Sequence, residues 1–375
     1  MSPFPIDLVY TWVDGRDEKW LKEMENASII HHKKFKKKDF LNRFVDIEEI
    51  RYSLRSVEQN LPWIRYIFIV TWGNQRPYWI NLSNPRIKII SQSVIFPKTV
   101  KLPTFNSKAI DFSLHKIPGL SEHFIYSNDD MFFCQSLKYS DFFTIEGKPI
   151  IYSQKKDWSD AQKIFRRFDN SYKKSPNDGT LFMISVYVTI LNFYDKFKKI
   201  MNCEYSHIPT AFTKTICEEV YSNFKDEIDK TISHRFRSRY DFQMQTLMIQ
   251  FGLVTNQSVV KMKTRKIALF VVTSFSNIKF KRMYEIIDNP PKLLSVNTDD
   301  MNSRERIKAF LDFIFDKPSS FELLDKPPNV DQHLKGYYSD RKSGEFYDWL
   351  EYFKSFFKFI KFLFIGLLVL IVFCC

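Results

Sequence analysis

Four short apolar runs in the first 150 residues leave this chain few folds to choose from. Tyr66 to Thr71 reads YIFIVT, and Ile6 to Trp12, Arg86 to Ile90 and Phe124 to Tyr126 are built in a similar way, with little polar alternation. A strand that is apolar on both faces must be covered on both faces, which is the condition of a parallel sheet flanked by helices. Between the first two runs, Ile47, Ile50, Leu54, Val57 and Leu61 recur at helical spacing and stop before Pro62. Ala109 to Lys116 reads as a further helix. The expected fold class is therefore α/β: a Rossmann-like, mainly parallel sheet covered by helices.

The later chain is less decisive. Leu181 to Leu191 fits helix or strand, Glu218 to Lys230 has an amphipathic helical pattern, and Met244 to Val254 is a buried element. Ile267 to Phe275 resembles a strand and Arg304 to Phe315 a helix. Asp325 to Gly344, with Pro327-Pro328, reads as a linker. Phe362 to Cys375, FLFIGLLVLIVFCC, is uncharged and reaches about twenty residues when extended back to Phe356, about the length that spans a bilayer. With Lys354, Lys358 and Lys361 as a basic collar it is expected to be a membrane anchor on the cytoplasmic side, the alternative being a hydrophobic helix docked on the protein itself. Cys374 and Cys375 could be lipidated, on position alone. Met1 to Asp7 shows no secretory leader pattern.

Composition narrows the partners. With 56 Lys and Arg against 43 Asp and Glu, the net charge is +13. Such an excess suits nucleic acid, an anionic membrane surface or phosphate-bearing ligands. No zinc-finger spacing, RNP-type motif or heptad-linked basic region is present, so nucleic acid is not expected. The local run HHKKFKKK at 31–38 reads as a solvated loop or membrane-facing patch. A count of 9 Gly, 16 Pro and 5 Cys, without C-x-x-C, excludes collagen-like, low-complexity and disulfide-scaffold classes.

Several stretches carry chemistry. Phe124 to Asp130 is a strand that ends abruptly in Asn128-Asp129-Asp130, and ligands bind beyond the carboxyl ends of strands in open α/β sheets. Adjacent carboxylates repel unless a cation sits beside them, and Mg²⁺ or Mn²⁺ held this way takes further ligands from a diphosphate. Asp14-Gly15-Arg16-Asp17 follows the first strand in the same manner, although a plain turn with helix caps explains it equally well. Leu102 to Asp111 opens a helix with Asn106, Ser107 and Lys108, a pattern suited to anion contact or to simple capping. Asp111 and His115 would share a face of that helix. His207-Ile208-Pro209 is followed by His234 to Asp241, where clustered arginines and an aspartate suit phosphate or a basic surface.

In this order the segments resemble the Stealth family. The resemblance is carried by Ile6 to Gly15, by Arg51 to Ser56 continuing through LPTFNS, His115, Ile117 to Glu122 and Asn128 to Phe132, by His207 to Pro209 with Phe236-Arg237, and more weakly by Asn297 to Asp300. That family contains capsular polysaccharide phosphotransferases and the lysosomal-enzyme GlcNAc-1-phosphotransferase. The resemblance implies transfer of a sugar 1-phosphate from a UDP-sugar donor to a hydroxyl of a glycan or polysaccharide acceptor, with a phosphodiester formed and UMP released. Residue by residue, it implies Asp14, Asp129 and Asp300 as ligands for Mg²⁺ or Mn²⁺, and Asp130 or His207 as general base. Arg237 would face the transferred phosphate, and Asp111, standing where the family usually has Glu, would serve acid–base or acceptor-orienting work. Asn106, Ser107, Lys108, His115, Arg51 and Asp241 are implied to bind substrate. Lys108 departs from the usual His, Trp72 to Gln75 from the usual Asn-Gly-Gln turn, and Thr298 separates Asn297 from Asp299 where Asn-Asp is usually contiguous.

The expected organisation is a GT-A-like donor- and metal-binding half at 1–150, a helix-rich remainder at 151–324, a linker at 325–355 and a hydrophobic tail helix at 356–375. The protein is expected at a membrane with its catalytic part cytoplasmic, the Golgi membrane being the alternative, and a homodimer is admitted. Competing expectations are a metal-dependent glycosyltransferase that releases UDP, and a catalytically silent, membrane-anchored glycan-binding homologue.

Overall fold

The apolar runs form one central sheet. Strands β1 (Ile6–Thr11), β2 (Ile67–Thr71), β3 (Ile87–Ser91) and β4 (His123–Asn128) lie in it in the order β3-β2-β1-β4, all parallel. The next strands, β5 (Met131–Phe133), β6 (Ile150–Lys155) and β7 (Cys203–Glu204), go to two smaller sheets. Strand β8 (Thr210–Thr213) then returns to the central sheet, antiparallel to β4. In the computed structural model the described residues are 2–30, 44, 46–175, 177–273, 285–298 and 301–323. The basic run 31–38, Asp300, the linker 325–355 and the hydrophobic tail 356–375 lie outside them. Residues up to Leu323 form one compact unit.

Successive side chains on β1, β2 and β4 enter different cores, which is why these runs lack polar alternation. Leu8, Tyr10, Ile67, Ile69 and Ile125 join one cluster, while Val9, Phe68, Val70, Phe124 and Tyr126 join the other. The helix Glu49–Asn60 supplies Ile50, Leu54 and Val57 to the first, all fully buried. Met244–Val254, a helix buried along most of its length, and Asp178–Phe197 supply the second. At the opposite end from the site, Asp7 on β1 is fully buried and accepts two Arg65 bonds at 2.9 and 2.6 Å.

The remaining strands are β9 (Val259–Met262), β10 (Ala268–Thr273) and β11 (Leu293–Thr298). They complete the sheets β7-β6-β9 and β10-β11-β5. Leu181 to Leu191, open between helix and strand in the sequence, is the middle of the helix Asp178–Phe197. Two readings of helices need adjustment. Glu218 to Lys230 is two helices, Lys214–Asn223 and Lys225–Ser233, because Phe224 between them turns into the core. Ala109 to Lys116 is not one helix: Ser107–Asp111 ends, and Leu114–Lys116 is a separate 3₁₀ turn. There the Ser113 hydroxyl bonds back to the Ala109 carbonyl at 3.1 Å, in competition with the helix ladder. Asp111 and His115 thus do not share a helix face. Among the described residues no helix is long and apolar enough to cross a membrane.

Candidate active site

The strand order reverses between β1 and β4, so a crevice opens at the carboxyl ends of these two strands. Thr11 pairs with Asn128 at that end, and the chain then continues into Asp14 on one side and Asp129-Asp130 on the other. Because β8 runs antiparallel to β4, with Tyr126 opposite Thr210, the segment before β8 arrives at the same end. That segment carries His207. Sheet pairing alone therefore brings His207 onto Asp130.

His207 Nε2 lies 3.0 Å from Asp130 Oδ2 and 3.3 Å from Oδ1, and the Tyr205 hydroxyl is 3.4 Å from His207 Nδ1. Burial opposes protonation of His207, but the Asp130 carboxylate, helped by Asp129 and Asp111, outweighs it and raises the imidazole above its ordinary value. Asp111 stands nearby, 8% exposed, with Tyr126 donating to it at 2.8 Å and Gln245 at 3.4 Å. Burial pushes its carboxyl up to about 6, against the pull of those bonds and of the Arg237 and Lys108 charges.

Acid charge gathers on the Asp129 side. Burial raises Asp129 to about 8, and Asp130 and Asp46 push in the same direction. Glu49 is raised well above the carboxylate range by burial, with Asp129 and Asp46 adding to it. Such mutual repulsion fits a divalent cation against Asp129 in charge. Of the expected ligands Asp300 lies outside the described residues and Asp14 pairs with Arg16 at 3.1 Å; among the described residues no three acid, His or Cys side chains are grouped to hold a metal.

The other wall is the segment His234 to Asp241, laid against the loop Leu102 to Ser107. Phe105 N bonds the Arg235 carbonyl at 2.7 Å, Phe105 and Phe236 stack at 5.0 Å, and Arg235 Nε donates to the Pro103 carbonyl at 3.0 Å. Asp241, fully buried, ties the two strips together. It accepts from Asn106 Nδ2 at 2.8 Å and from Ser238 N at 2.8 Å, and its other oxygen meets His234 Nδ1 at 2.6 Å. Asn106, also fully buried, caps the helix Ser107–Asp111 through Lys108 N. The cap leaves Ser107 Oγ to accept from Arg237 at 3.0 Å.

Asp130, His207, Asp111, Ser107 and Arg237 are thus brought together. Asn106 and Asp241 hold the loop from beneath it. Lys108 is buried and reaches the Leu181 carbonyl at 3.5 Å. Arg51 is engaged by Glu322 at 2.5 Å and Glu48 at 3.6 Å, and His115 is 7% exposed beneath the sheet's second core. Sequence reasoning did not single out Tyr126, Tyr205, Gln245, Asp46 or Glu49. Only Asp46 and Glu49 had a local signal, as acids at the start of a helix.

A doubly covered α/β sheet with an Asp–His pair at its switch point and an arginine clamped on the facing wall defines the class. The chain belongs to the Stealth family. Its residues 4–31, 43–151 and 206–252 match Stealth protein conserved regions 1, 2 and 3. It is 34% identical over 328 residues to the capsular polysaccharide phosphotransferase fcs1 of Haemophilus influenzae, covering 84% of each chain. It is 32% identical to the exopolysaccharide phosphotransferase cps2G of Lactiplantibacillus plantarum, covering 68% of this chain and 77% of that one. Against the exopolysaccharide phosphotransferase SCO6023 of Streptomyces coelicolor it is 34% identical and spans 40% of that protein's length. Among solved structures, the galactosyltransferase LgtC in complex with donor and acceptor sugar analogs is similar at 9% identity and a TM-score of 0.40, over 88% of this chain and 99% of that one.

Proposed function

We propose that this protein transfers a sugar 1-phosphate, such as GlcNAc 1-phosphate or another hexose 1-phosphate, from a UDP-sugar to a hydroxyl of a glycan or polysaccharide. The observation that carries this reading is the Asp130–His207 pair at the switch point, with Arg237 on the facing wall. The names of the related phosphotransferases support it.

The acceptor oxygen attacks the β-phosphorus of the donor, the new oxygen–phosphorus bond forms, the bond to the bridging oxygen breaks, and UMP leaves. The hydroxyl proton passes to Asp130, the base. His207, favoured as its cation chiefly by the Asp130 carboxylate, and Arg237, fixed by Ser107, absorb charge on the phosphate oxygens. Asp111, whose carboxyl burial pushes up to about 6, orients the acceptor hydroxyl. Mg²⁺ or Mn²⁺ bound against Asp129 would supply positive charge to the donor diphosphate. The tail 356–375 would hold the protein at a membrane, with the catalytic part cytoplasmic.

The test incubates the full chain with a UDP-sugar, a divalent ion and glycan acceptors. Acceptor-dependent UMP that disappears in Asp130→Ala supports the reading; UDP as the product replaces it with glycosyl transfer.

A further inference from the structure

The helix Ala161–Lys174 carries a feature that catalysis does not use. Lys163, Arg166, Arg167 and Lys174 are all exposed on it. At 100° per residue they fall within an arc of about 100°, a stripe about 16 Å long. None of the four pairs with an acid among the described residues. The helix contains one acidic residue, Asp169, which is buried and pairs with Lys173 at 2.8 Å and with Arg239. Arg239 is two residues from Arg237, so the inner face of this helix braces the wall of the active site.

We propose that the outer face of this helix is the docking surface for an acceptor glycan that already carries phosphodiesters. This inference rests on the reaction proposed above, because each transfer leaves one more negative charge on the acceptor. A growing product is therefore a polyanion, and four uncompensated cations beside the site complement it. The competing occupant is an anionic membrane. A helix that lies in a bilayer surface needs an apolar face to insert, and here Phe165, Phe168 and Tyr172 are packed against the protein's own core. The free face offers charge alone.

The experiment compares the full chain with its combined Lys163→Gln, Arg166→Gln, Arg167→Gln and Lys174→Gln variant in direct binding, without turnover. The probes are a phosphodiester-linked oligosaccharide, an uncharged oligosaccharide of the same sugar, and phosphatidylcholine vesicles with phosphatidylglycerol. The variant is expected to lose about tenfold in affinity for the charged oligosaccharide at low salt, as four exposed ionic contacts should provide, and nothing for the uncharged one. High salt should erase the difference. Unchanged binding of the charged oligosaccharide overturns the proposal, and so does a loss confined to the vesicles, which would make this a membrane face. A failure of phosphoryl transfer would instead appear as missing UMP and would leave these binding results standing.

Discussion

His207 Nε2 and Asp130 Oδ2 stand 3.0 Å apart although 77 residues separate them in the chain. The contact exists because β8 reverses direction beside β4, so that the residues preceding one strand meet those following the other. The Asp130 carboxylate favours the charged form of the imidazole.

Asp130→Asn and His207→Gln are each predicted to lower kcat by about 10²- to 10⁴-fold, the usual worth of a positioned proton acceptor or phosphate contact. An NMR titration should place His207 above about 6.5, the ordinary histidine value, in the wild type and lower in Asp130→Asn. A raised histidine stabilises the fold fully below the unfolded value, and this contribution is lost as pH rises through the folded one.

Asp241→Ala should act through the loop. It strands three groups, on Asn106, His234 and Ser238, at a cost of about 3 kcal/mol if each bond is worth about 1. Urea denaturation measures that loss. With the cap of Ser107–Asp111 loosened, kcat should fall as well, and Asp241→Asn should recover part of both.

His115 gives a pH signature in stability. Burial, with Lys116 and Lys214 adding, pushes it down to about 4. Between that value and 6.5 the unfolded state binds the proton and the folded state does not, so stability must fall as pH falls through this window. The loss is about 3 kcal/mol, and His115→Gln should flatten denaturation midpoints measured across it.

Glu322 joins Arg51 and Arg55 at 2.5 and 2.8 Å with its side chain 1% exposed. Glu322→Gln leaves two cations short of a partner and is expected to cost about 3–5 kcal/mol. If Arg51 serves the fold rather than the donor, KM for the UDP-sugar stays unchanged in this variant.

Much of this architecture could be read from local pattern. The strands expected at Tyr66 to Thr71 and Arg86 to Ile90 fall within a residue of β2 and β3; β2 is buried on both faces and so demands a continuous apolar run, whereas β3 lies at the sheet edge with Lys88 exposed. Met244 to Val254 has the bounds expected of it. The acids after β1 and β4 could be placed in the crevice because a parallel sheet fixes where such residues go. What local pattern lacked was pairing at a distance. Nothing near His207 announces an antiparallel β8, and nothing near Asp241 announces that its carboxylate will hold Asn106. Asn106 and Ser107 are adjacent, yet one is a buried cap and the other faces Arg237, a division only the packed loop decides.

The most direct measurement follows the β-phosphate of the donor. A UDP-sugar labelled there is incubated with the full chain, a divalent ion and acceptor, and the products are separated. Label recovered in the acceptor as a phosphodiester, with unlabelled UMP released and neither formed by Asp130→Asn, is the predicted result. Label retained in UDP, with only the sugar transferred, would contradict attack at the β-phosphorus and the roles assigned to His207 and Arg237.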